Sequence, residues 1–227
     1  MSSPLFSAVL WDMDGTLVDT EPYWMAAETP LIESYGGTWS HEQALQLVGL
    51  ALEDSAGILQ SAGVRLSRAE IIDHLTADVM TQLSTKGVPF RPGARELLKG
   101  LRDAGVKTAL VTMSMRRMAD HVASLIGFDA FDVIVGGDEV ARPKPYPDPY
   151  LQACEALGVE PDQAVAIEDS PTGVRAAAAS GAVTLGVPLM VSLEGVGAHA
   201  LWPSLDGRTS GDLEALHAAY RTTSENR

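Results

Sequence analysis

The chain has 227 residues, 46% of them hydrophobic and 20% charged, which is typical of a globular protein with room for one sizeable domain and an insert. Its formal net charge of −14 argues against nucleic acid or an anionic membrane as a partner. The single cysteine, Cys154, excludes an internal disulfide, no apolar run is long enough to span a membrane, and no basic segment precedes the first apolar run, so we expect a cytoplasmic protein.

The first predicted strand, Leu5–Trp11, ends at two aspartates. Asp12 and Asp14 have the same parity in an extended chain, so both carboxylates can face one point, and Gly15 allows a tight turn after them. Neighbouring carboxylates repel each other unless a cation compensates, and Mg²⁺ with its preference for oxygen ligands is the natural choice. A calcium-binding loop is excluded because its twelfth position, which requires glutamate, is Tyr23.

A helical segment of about 70 residues, from Thr20 to Pro89, follows this strand and contains no convincing strand of its own. It ends before a helix that opens at Pro92–Gly93. Because both ends of the segment meet the rest of the chain near one place, we predict a helical cap domain at residues 20–89. Residues 1–19 and 90–227 would form the core domain, joined to the cap by two hinge strands.

The rest of the chain alternates strands with helices. The predicted strands are Lys107–Thr112, Val133–Gly136, Ala164–Ile167 and Val183–Val187. The predicted helices are Ala94–Ala104, Arg116–Ile126, Pro147–Leu157 and Gly173–Ser180, with one short helix at Asp212–Tyr220 in the weakly patterned tail. This alternation predicts an α/β fold with a doubly wound parallel sheet, in which ligands bind beyond the carboxyl ends of the strands.

Polar residues follow each of the main predicted strands. They are Asp12 and Asp14 after the first strand, Thr112 and Ser114 after the second, Lys144 between two prolines, and Glu168, Asp169 and Ser170 after the fourth. Any one of these groups is common in ordinary loops and helix caps. Their joint occurrence at strand ends predicts an active site at one edge of the sheet.

These four segments, in this order and with a helical insert after the first, resemble the motifs of the haloacid dehalogenase superfamily. The phosphatase and phosphomutase branch is the best match, and the resemblance covers roughly Leu5 to Val187. It implies a Rossmann-like core with an inserted helical cap. It also implies an Mg²⁺-dependent phosphatase that hydrolyses a small phosphate ester, a sugar or polyol phosphate, through an aspartyl-phosphate. We expect a monomer or weak homodimer with no nucleic-acid or membrane partner.

The resemblance also implies a role for each residue type. Asp12 would be the nucleophile, and Asp14 the acid toward the leaving alcohol and then the base toward water. Thr112 and the backbone N–H groups of Met113 and Ser114 would bind phosphoryl oxygens. Lys144 would hold both Asp12 and the phosphate. The metal ligands would be Asp12, Asp14 (through its backbone carbonyl), Glu168 and Asp169.

Substrate specificity should come from the cap. Glu21 and Trp24 are the predicted substrate-binding residues there, with Tyr23, Trp39 and Glu53 as further candidates. The aromatic rings could stack on a sugar face, although rings at helical spacing more often form the core of the cap.

Three alternatives follow from the same family. A dehalogenase lacks the second aspartate, so Asp14 argues against that activity. A β-phosphoglucomutase has a cap histidine where this chain has Trp24, and an arginine for its second phosphate near the place of Leu52, which favours hydrolysis here. A non-catalytic member that only binds a phosphorylated ligand remains the other candidate, although the charged residues of the motifs are all present.

Overall fold

Six parallel strands form one sheet in the computed structural model, which describes residues 6–224. The strands are β1 (Ala8–Trp11), β2 (Lys107–Val111), β3 (Val133–Val135), β4 (Ala164–Glu168), β5 (Val183–Gly186) and β6 (Ala200–Leu201). Their order in the sheet is β3-β2-β1-β4-β5-β6, with every neighbouring pair parallel. The predicted doubly wound α/β fold is therefore confirmed; Leu5, where the first predicted strand begins, lies outside the described residues.

The central position of β1 follows from its composition. All four of its residues are buried, as are all five of β4, and such continuous apolar runs belong to strands covered on both faces. β1 lies between β2 and β4, where the chain changes the direction in which it adds strands. A crevice forms beyond the carboxyl ends of the strands at such a switch point.

Nine α-helices surround the sheet among the described residues. Five lie between β1 and β2, namely α1 (Glu21–Ser34), α2 (His41–Ala44), α3 (Leu52–Ser61), α4 (Arg68–Lys86) and α5 (Ala94–Asp103). The others are α6 (Arg116–Leu125), α7 (Asp148–Leu157), α8 (Pro171–Ser180) and α9 (Ser210–Ser224), and short 3₁₀ turns occupy Leu45–Leu47, Gly137–Glu139 and Pro161–Gln163. No helix in the described part of the chain is both long enough and apolar enough to cross a membrane.

The helices α1 to α4 form one layer, in which α4 packs against both α1 and α3, and the buried apolar residues of this layer are continuous with those beside β1. Ser67 caps α4 in a reciprocal pair with Glu70, which satisfies two backbone N–H groups at its first turn. The chain enters and leaves this layer side by side. The Asp19 N–H donates to the Pro89 carbonyl at 2.8 Å, and the Arg91 N–H to the Leu17 carbonyl at 3.0 Å.

The tail is more structured than its sequence pattern predicts. The chain adds β6 to the edge of the sheet, and α9 starts before and ends after the predicted Asp212–Tyr220 helix. Leu205, Leu213 and His217 are buried, so this segment covers part of the core. The strand was missed because it is only two residues long and partly exposed, which leaves no periodic pattern to detect.

Candidate active site

The turn after β1 brings two aspartates to the sheet edge. The Asp12 N–H donates to the Ile167 carbonyl at 3.0 Å, which continues the pairing of β1 with β4 by one residue. Gly15 then adopts a φ of +86°, and a Cβ on it would lie 2.1 Å from Asp169 Oδ2. Only glycine meets both conditions, so this residue lets the turn approach the end of β4 closely.

Lys144 lies beneath this turn and is 6% exposed. Its Nζ donates to Asp12 Oδ1 at 2.7 Å, to Glu168 Oε1 at 2.6 Å and to the Val111 carbonyl at 3.0 Å. Burial by itself lowers the pKa of this lysine, but the two facing carboxylates raise it above its usual value. Lys144 is therefore an ammonium with all three of its protons donated, as a buried charge requires.

Three buried carboxylates surround one point, because Asp12, Glu168 and Asp169 each offer an oxygen within 4.8 Å of the others. Burial and the charge of Glu168 raise the pKa of Asp12 to about 7. Burial, followed by the charge of Asp12, raises the pKa of Asp169 well above its ordinary value. The negative charge at this point exceeds what Lys144 balances, and a bound cation would relieve the excess.

Hydrogen bonding divides these three carboxylates into two kinds. Among the described residues, no donor reaches Asp12 Oδ2 or Asp169 Oδ2, since Lys144 and Thr16 contact the other oxygen of each. Glu168 is instead surrounded by donors. Its Oε1 accepts from Lys144 and from the Tyr150 hydroxyl at 2.6 Å, and its Oε2 from two backbone N–H groups and a serine hydroxyl.

The chemistry of the free oxygens fits Mg²⁺. Asp12 and Asp169 belong to one buried carboxylate cluster, and each keeps an oxygen that no donor in the described part of the chain contacts, which makes them hard ligands of the kind this ion prefers. By distance Glu168 belongs to the same group, but its oxygens already have protein donors. Gly173 shows how tightly Glu168 is enclosed, because a Cβ there would lie 1.8 Å from Glu168 Oε1.

The side chain of Asp14 does not belong to the cluster of three carboxylates, and it accepts hydrogen bonds from four side-chain donors. Its Oδ1 accepts from the Thr20 hydroxyl and from Trp24 Nε1 at 3.2 Å. Its Oδ2 accepts from the Ser114 hydroxyl at 2.7 Å and the Thr112 hydroxyl at 3.3 Å. Asp14 therefore links the start of the helical layer to the end of β2.

A cavity of about 850 Å³, counted with its open mouth, lies between the sheet edge and the helical layer. The sequence-predicted residues that line it are Asp12, Asp14, Glu21, Trp24, Thr112, Met113, Ser114, Lys144 and Asp169. Lys144 is the one basic residue among the described residues that line it. Glu168 lies beneath the cavity floor and is completely buried.

The other proposed cap residues lie outside this lining. Glu53 is exposed on α3, and the Tyr23 hydroxyl donates to the Gly87 carbonyl at 3.1 Å. Trp39 donates its Nε1 to Glu28 Oε2 at 3.0 Å. The expectation that these three contact a ligand directly is not supported by their position.

Sequence reasoning missed Glu28 and Ser55, which are polar residues of the helical layer that line the cavity. Glu28 lies two helical turns after Glu21, so the seven-residue spacing was the signal that could have revealed it. Burial, followed by the charge of Asp14, raises the pKa of Glu21 to about 8. Burial raises the pKa of Glu28 to about 7, against the opposing effect of the Trp39 hydrogen bond.

Polar side chains also connect the helical layer to the sheet domain. The Thr172 hydroxyl donates to the Gly49 carbonyl at 2.7 Å. Away from the cavity lining, Arg117 pairs with Asp73 at 2.6 Å and Ser84 contacts His121 at 2.9 Å. The contacts of Arg117 and Ser84 are exposed, so each is individually weak.

Comparison with known proteins places these features in a family context. Residues 9–187 match the family profile of haloacid dehalogenase-like hydrolases. The chain is 33% identical over 175 residues to a phosphorylated carbohydrates phosphatase of Thermotoga maritima, covering 77% of this chain and 81% of the relative. It is 30% identical over 193 residues to hexitol phosphatase B of Escherichia coli K12, covering 83% and 86%.

A solved structure of similar sequence also has a similar fold. A CbbY variant of Rhodobacter sphaeroides in complex with xylulose-(1,5)bisphosphate superposes with a TM-score of 0.83. The two sequences are 29% identical, and the match covers 92% of this chain and 99% of that one.

Proposed function

The chain belongs to the haloacid dehalogenase-like hydrolase family, and we propose that it is a phosphatase for a small phosphorylated metabolite, a sugar or polyol phosphate. The observation that carries this proposal is the paired arrangement of Asp12 and Asp14. One carboxylate is held by a buried lysine and keeps a free oxygen, and the other is held by four neutral donors two residues later. Relatives named as phosphatases of carbohydrate and hexitol phosphates support the substrate class.

Asp12 is the nucleophile in this proposal. A carboxylate oxygen of Asp12 forms a bond to phosphorus while the bond from phosphorus to the alcohol oxygen breaks, which leaves an aspartyl-phosphate. Lys144 fixes the attacking carboxylate and faces the phosphoryl group with positive charge. Its lining position and its three hydrogen bonds support this role.

Asp14 moves the proton in both half-reactions. It protonates the leaving alcohol oxygen in the first, and in the second it accepts a proton from the water that attacks the aspartyl-phosphate. That attack releases inorganic phosphate and restores the Asp12 carboxylate. Donors from both sides of the cavity keep the Asp14 side chain in place for each transfer.

Mg²⁺ would be held by Asp12, by Asp169 and, as the family resemblance implies, by the backbone carbonyl of Asp14. When bound, it supplies charge neutralisation for Asp12 and the phosphoryl oxygens. We assign Glu168 to the positioning of Lys144, since both of its oxygens already accept protein hydrogen bonds. The Thr112 hydroxyl and the N–H groups of Met113 and Ser114 would bind the remaining phosphoryl oxygens.

We propose that residues 20–89 act as a cap and residues 1–19 and 90–227 as the catalytic core. The paired segments at Asp19–Pro89 and Leu17–Arg91 would be the hinge, and the polar contacts between the helical layer and the sheet domain would open to release products. Closure excludes water, which strengthens the electrostatic interactions within the site.

A phosphomutase must hold a second phosphate, and this cavity is poorly suited to that. Lys144, its one basic lining residue, is already committed to Asp12 and Glu168, and apolar Leu52 lines the insert side. A second phosphate without a cationic partner loses about 1.5–3 kcal/mol of charge-assisted hydrogen bonding. Hydrolysis is therefore the function that the site supports better.

The test is phosphate release from sugar, polyol and nucleotide monophosphates, with Mg²⁺ and with a chelator. We expect metal-dependent release that falls by about 10³-fold or more in Asp12→Asn, because the amide is not a nucleophile. Asp54→Asn, at an exposed position of α3, is the matched control and should keep full activity. Near-normal turnover in Asp12→Asn would contradict the covalent mechanism.

Two other outcomes lead to the alternatives. Interconversion of hexose 1- and 6-phosphates on addition of a bisphosphate, without net phosphate release, would identify a mutase. Binding of phosphate esters with no turnover of either kind would identify a non-catalytic member of the family.

A further inference from the structure

One face of α1 carries three residues that line the cavity. Glu21, Trp24 and Glu28 occur at spacings of three and four, so they share that face of the helix. Trp24 contacts the proposed acid Asp14 through its Nε1. Glu28 lies one turn further along the axis, about 6 Å from the level of Trp24.

Glu28 has an unusual environment for a carboxyl group. It is 5% exposed, yet it lines the cavity. Among residues 6–224, its one polar side-chain contact is the hydrogen bond from Trp39 Nε1 to Oε2, and no cation pairs with it. Because Trp39 does not line the cavity, it holds the carboxyl from the protein side and leaves Oε1 without a donor.

The surroundings of Glu28 make a ligand contact valuable. The helical layer lines the cavity mainly with apolar side chains, among them Leu47, Leu52, Ile71 and Leu75. A polar group in such surroundings is costly unless it is hydrogen-bonded. A hydroxyl group on a bound molecule satisfies the free oxygen, whereas a phosphate there meets both Glu28 and Glu21 without a cation.

We propose that Glu28 is a specificity-determining residue that binds a hydroxyl group at the far end of the leaving group. This inference rests on the proposed phosphatase function. The helical turn between Trp24 and Glu28 matches a leaving group of roughly five or six carbons, so the site selects polyol and sugar monophosphates of that length. Shorter esters do not reach Glu28, and bisphosphates place a second anion beside it.

The test compares kcat/KM for a hexitol 6-phosphate, glycerol 3-phosphate and a hexose 1,6-bisphosphate. The wild type should prefer the hexitol ester to both others by tenfold or more. In Glu28→Leu, the ratio of kcat/KM for the hexitol ester to that for glycerol 3-phosphate should fall by about tenfold or more, since the hydroxyl loses its partner. Glu28→Gln should lose less, because an amide still accepts a hydrogen bond.

Two further variants complete the design. Trp39→Phe removes the donor to Glu28 and should lower the same ratio by a smaller factor. Glu33→Leu, at an exposed position of the same helix, should leave the ratio unchanged. If Glu28→Leu does not fold, the inference is tested by the substrate preference of the wild type and by the kcat/KM ratio of Glu28→Gln.

The outcomes separate the two claims. Release from none of the esters overturns the proposed phosphatase and this inference together. Wild-type hydrolysis with no preference for the hexitol ester, or an unchanged ratio in the folded Glu28 variants, overturns the inference and leaves the phosphatase standing.

Discussion

The cavity has two walls that stabilise buried polar groups in different ways. The sheet wall carries Asp12, Asp14, Lys144 and Asp169, and the helical wall carries Glu21, Trp24 and Glu28. On the sheet side, each carboxylate of the proposed catalytic group accepts at least one hydrogen bond, and Lys144 donates all three of its protons. On the helical side, Glu21 and Glu28 form no ion pair within residues 6–224, and their pKa values are raised to about 8 and about 7, chiefly by burial. The first wall therefore stabilises charge, whereas the second favours the neutral form of its carboxyl groups.

This difference explains how reaction and selectivity can be separated within one site. Residues that perform the proposed phosphoryl transfer are fixed by the sheet, because parallel strands bring their carboxyl ends to one edge. Residues proposed to contact the leaving group lie on α1, outside the sheet, so their substitution should change the cavity wall and leave the sheet in place. Variants that disturb each wall test this separation.

The largest effect on stability is expected from Lys144→Met in the sheet wall. The substitution leaves Asp12 and Glu168 buried without their cation, so the free energy of unfolding should fall by about 3–5 kcal/mol in urea titrations with a chelator present. Lys99→Met is the control, since its ion pair with Asp103 is exposed and should contribute no more than about 0.5 kcal/mol. A loss of unfolding free energy below about 1 kcal/mol for Lys144→Met would show that the ion pairs of Lys144 with Asp12 and Glu168 do not stabilise the fold.

A smaller, pH-dependent effect is expected from Glu28→Gln in the helical wall. Burial raises the pKa of Glu28 from 4.5 to about 7, so the folded protein binds more protons at this site than the unfolded chain between those values. The stability of the wild type should therefore fall as the pH rises through that window, while Glu28→Gln escapes this loss.

Urea titrations at several pH values measure this difference. Relative to the wild type, Glu28→Gln should gain about 1–3 kcal/mol between about pH 4.5 and pH 7.5. Glu33→Gln, on the exposed face of α1, should show no such trend. Glu21 remains in both proteins, and because its pKa is raised from 4.5 to about 8, it lowers the stability of both over an overlapping pH window. A difference that stays constant with pH would mean that Glu28 is not held in a charge-excluding environment.

The smallest expected effects are on kcat, in variants that remove a hydrogen bond to Asp14, which accepts donors from both walls. Ser114→Ala removes a donor at 2.7 Å from the sheet side, and Trp24→Phe removes one at 3.2 Å from the helical side. Each should lower kcat by about tenfold or less, with the larger loss in Ser114→Ala because its hydrogen bond is shorter. The reverse order would show that the helical wall dominates the placement of Asp14.

The sheet wall could be predicted from the sequence because its signals are local. Asp12 and Asp14 directly follow β1, and Asp169 follows β4, so strand ends alone predict that these side chains meet. The exact ends of helices are harder to predict: α5 ends at Asp103, one residue before the predicted Ala104. Strand and helix ends fray, and no local pattern fixes the final residue.

The helical wall could be predicted only in part. Glu21 and Trp24 lie close to the first motif and were found, but Glu28 stands alone in a helix and belongs to no motif. Tyr150, which donates to Glu168, looks like an ordinary core residue of α7 in sequence. Both side chains acquire their roles from contacts distant in the chain, which a pattern of neighbouring residues does not contain.

The most direct test of the central claim is to trap the phosphoryl group on the protein. Asp14→Asn should form the aspartyl-phosphate but hydrolyse it slowly, because no base activates the attacking water. After incubation with a reactive phosphate ester and Mg²⁺, mass spectrometry of acid-quenched peptides should find one phosphoryl group on Asp12, and none in Asp12→Asn. Turnover without any adduct, or an adduct on another residue, would contradict the account.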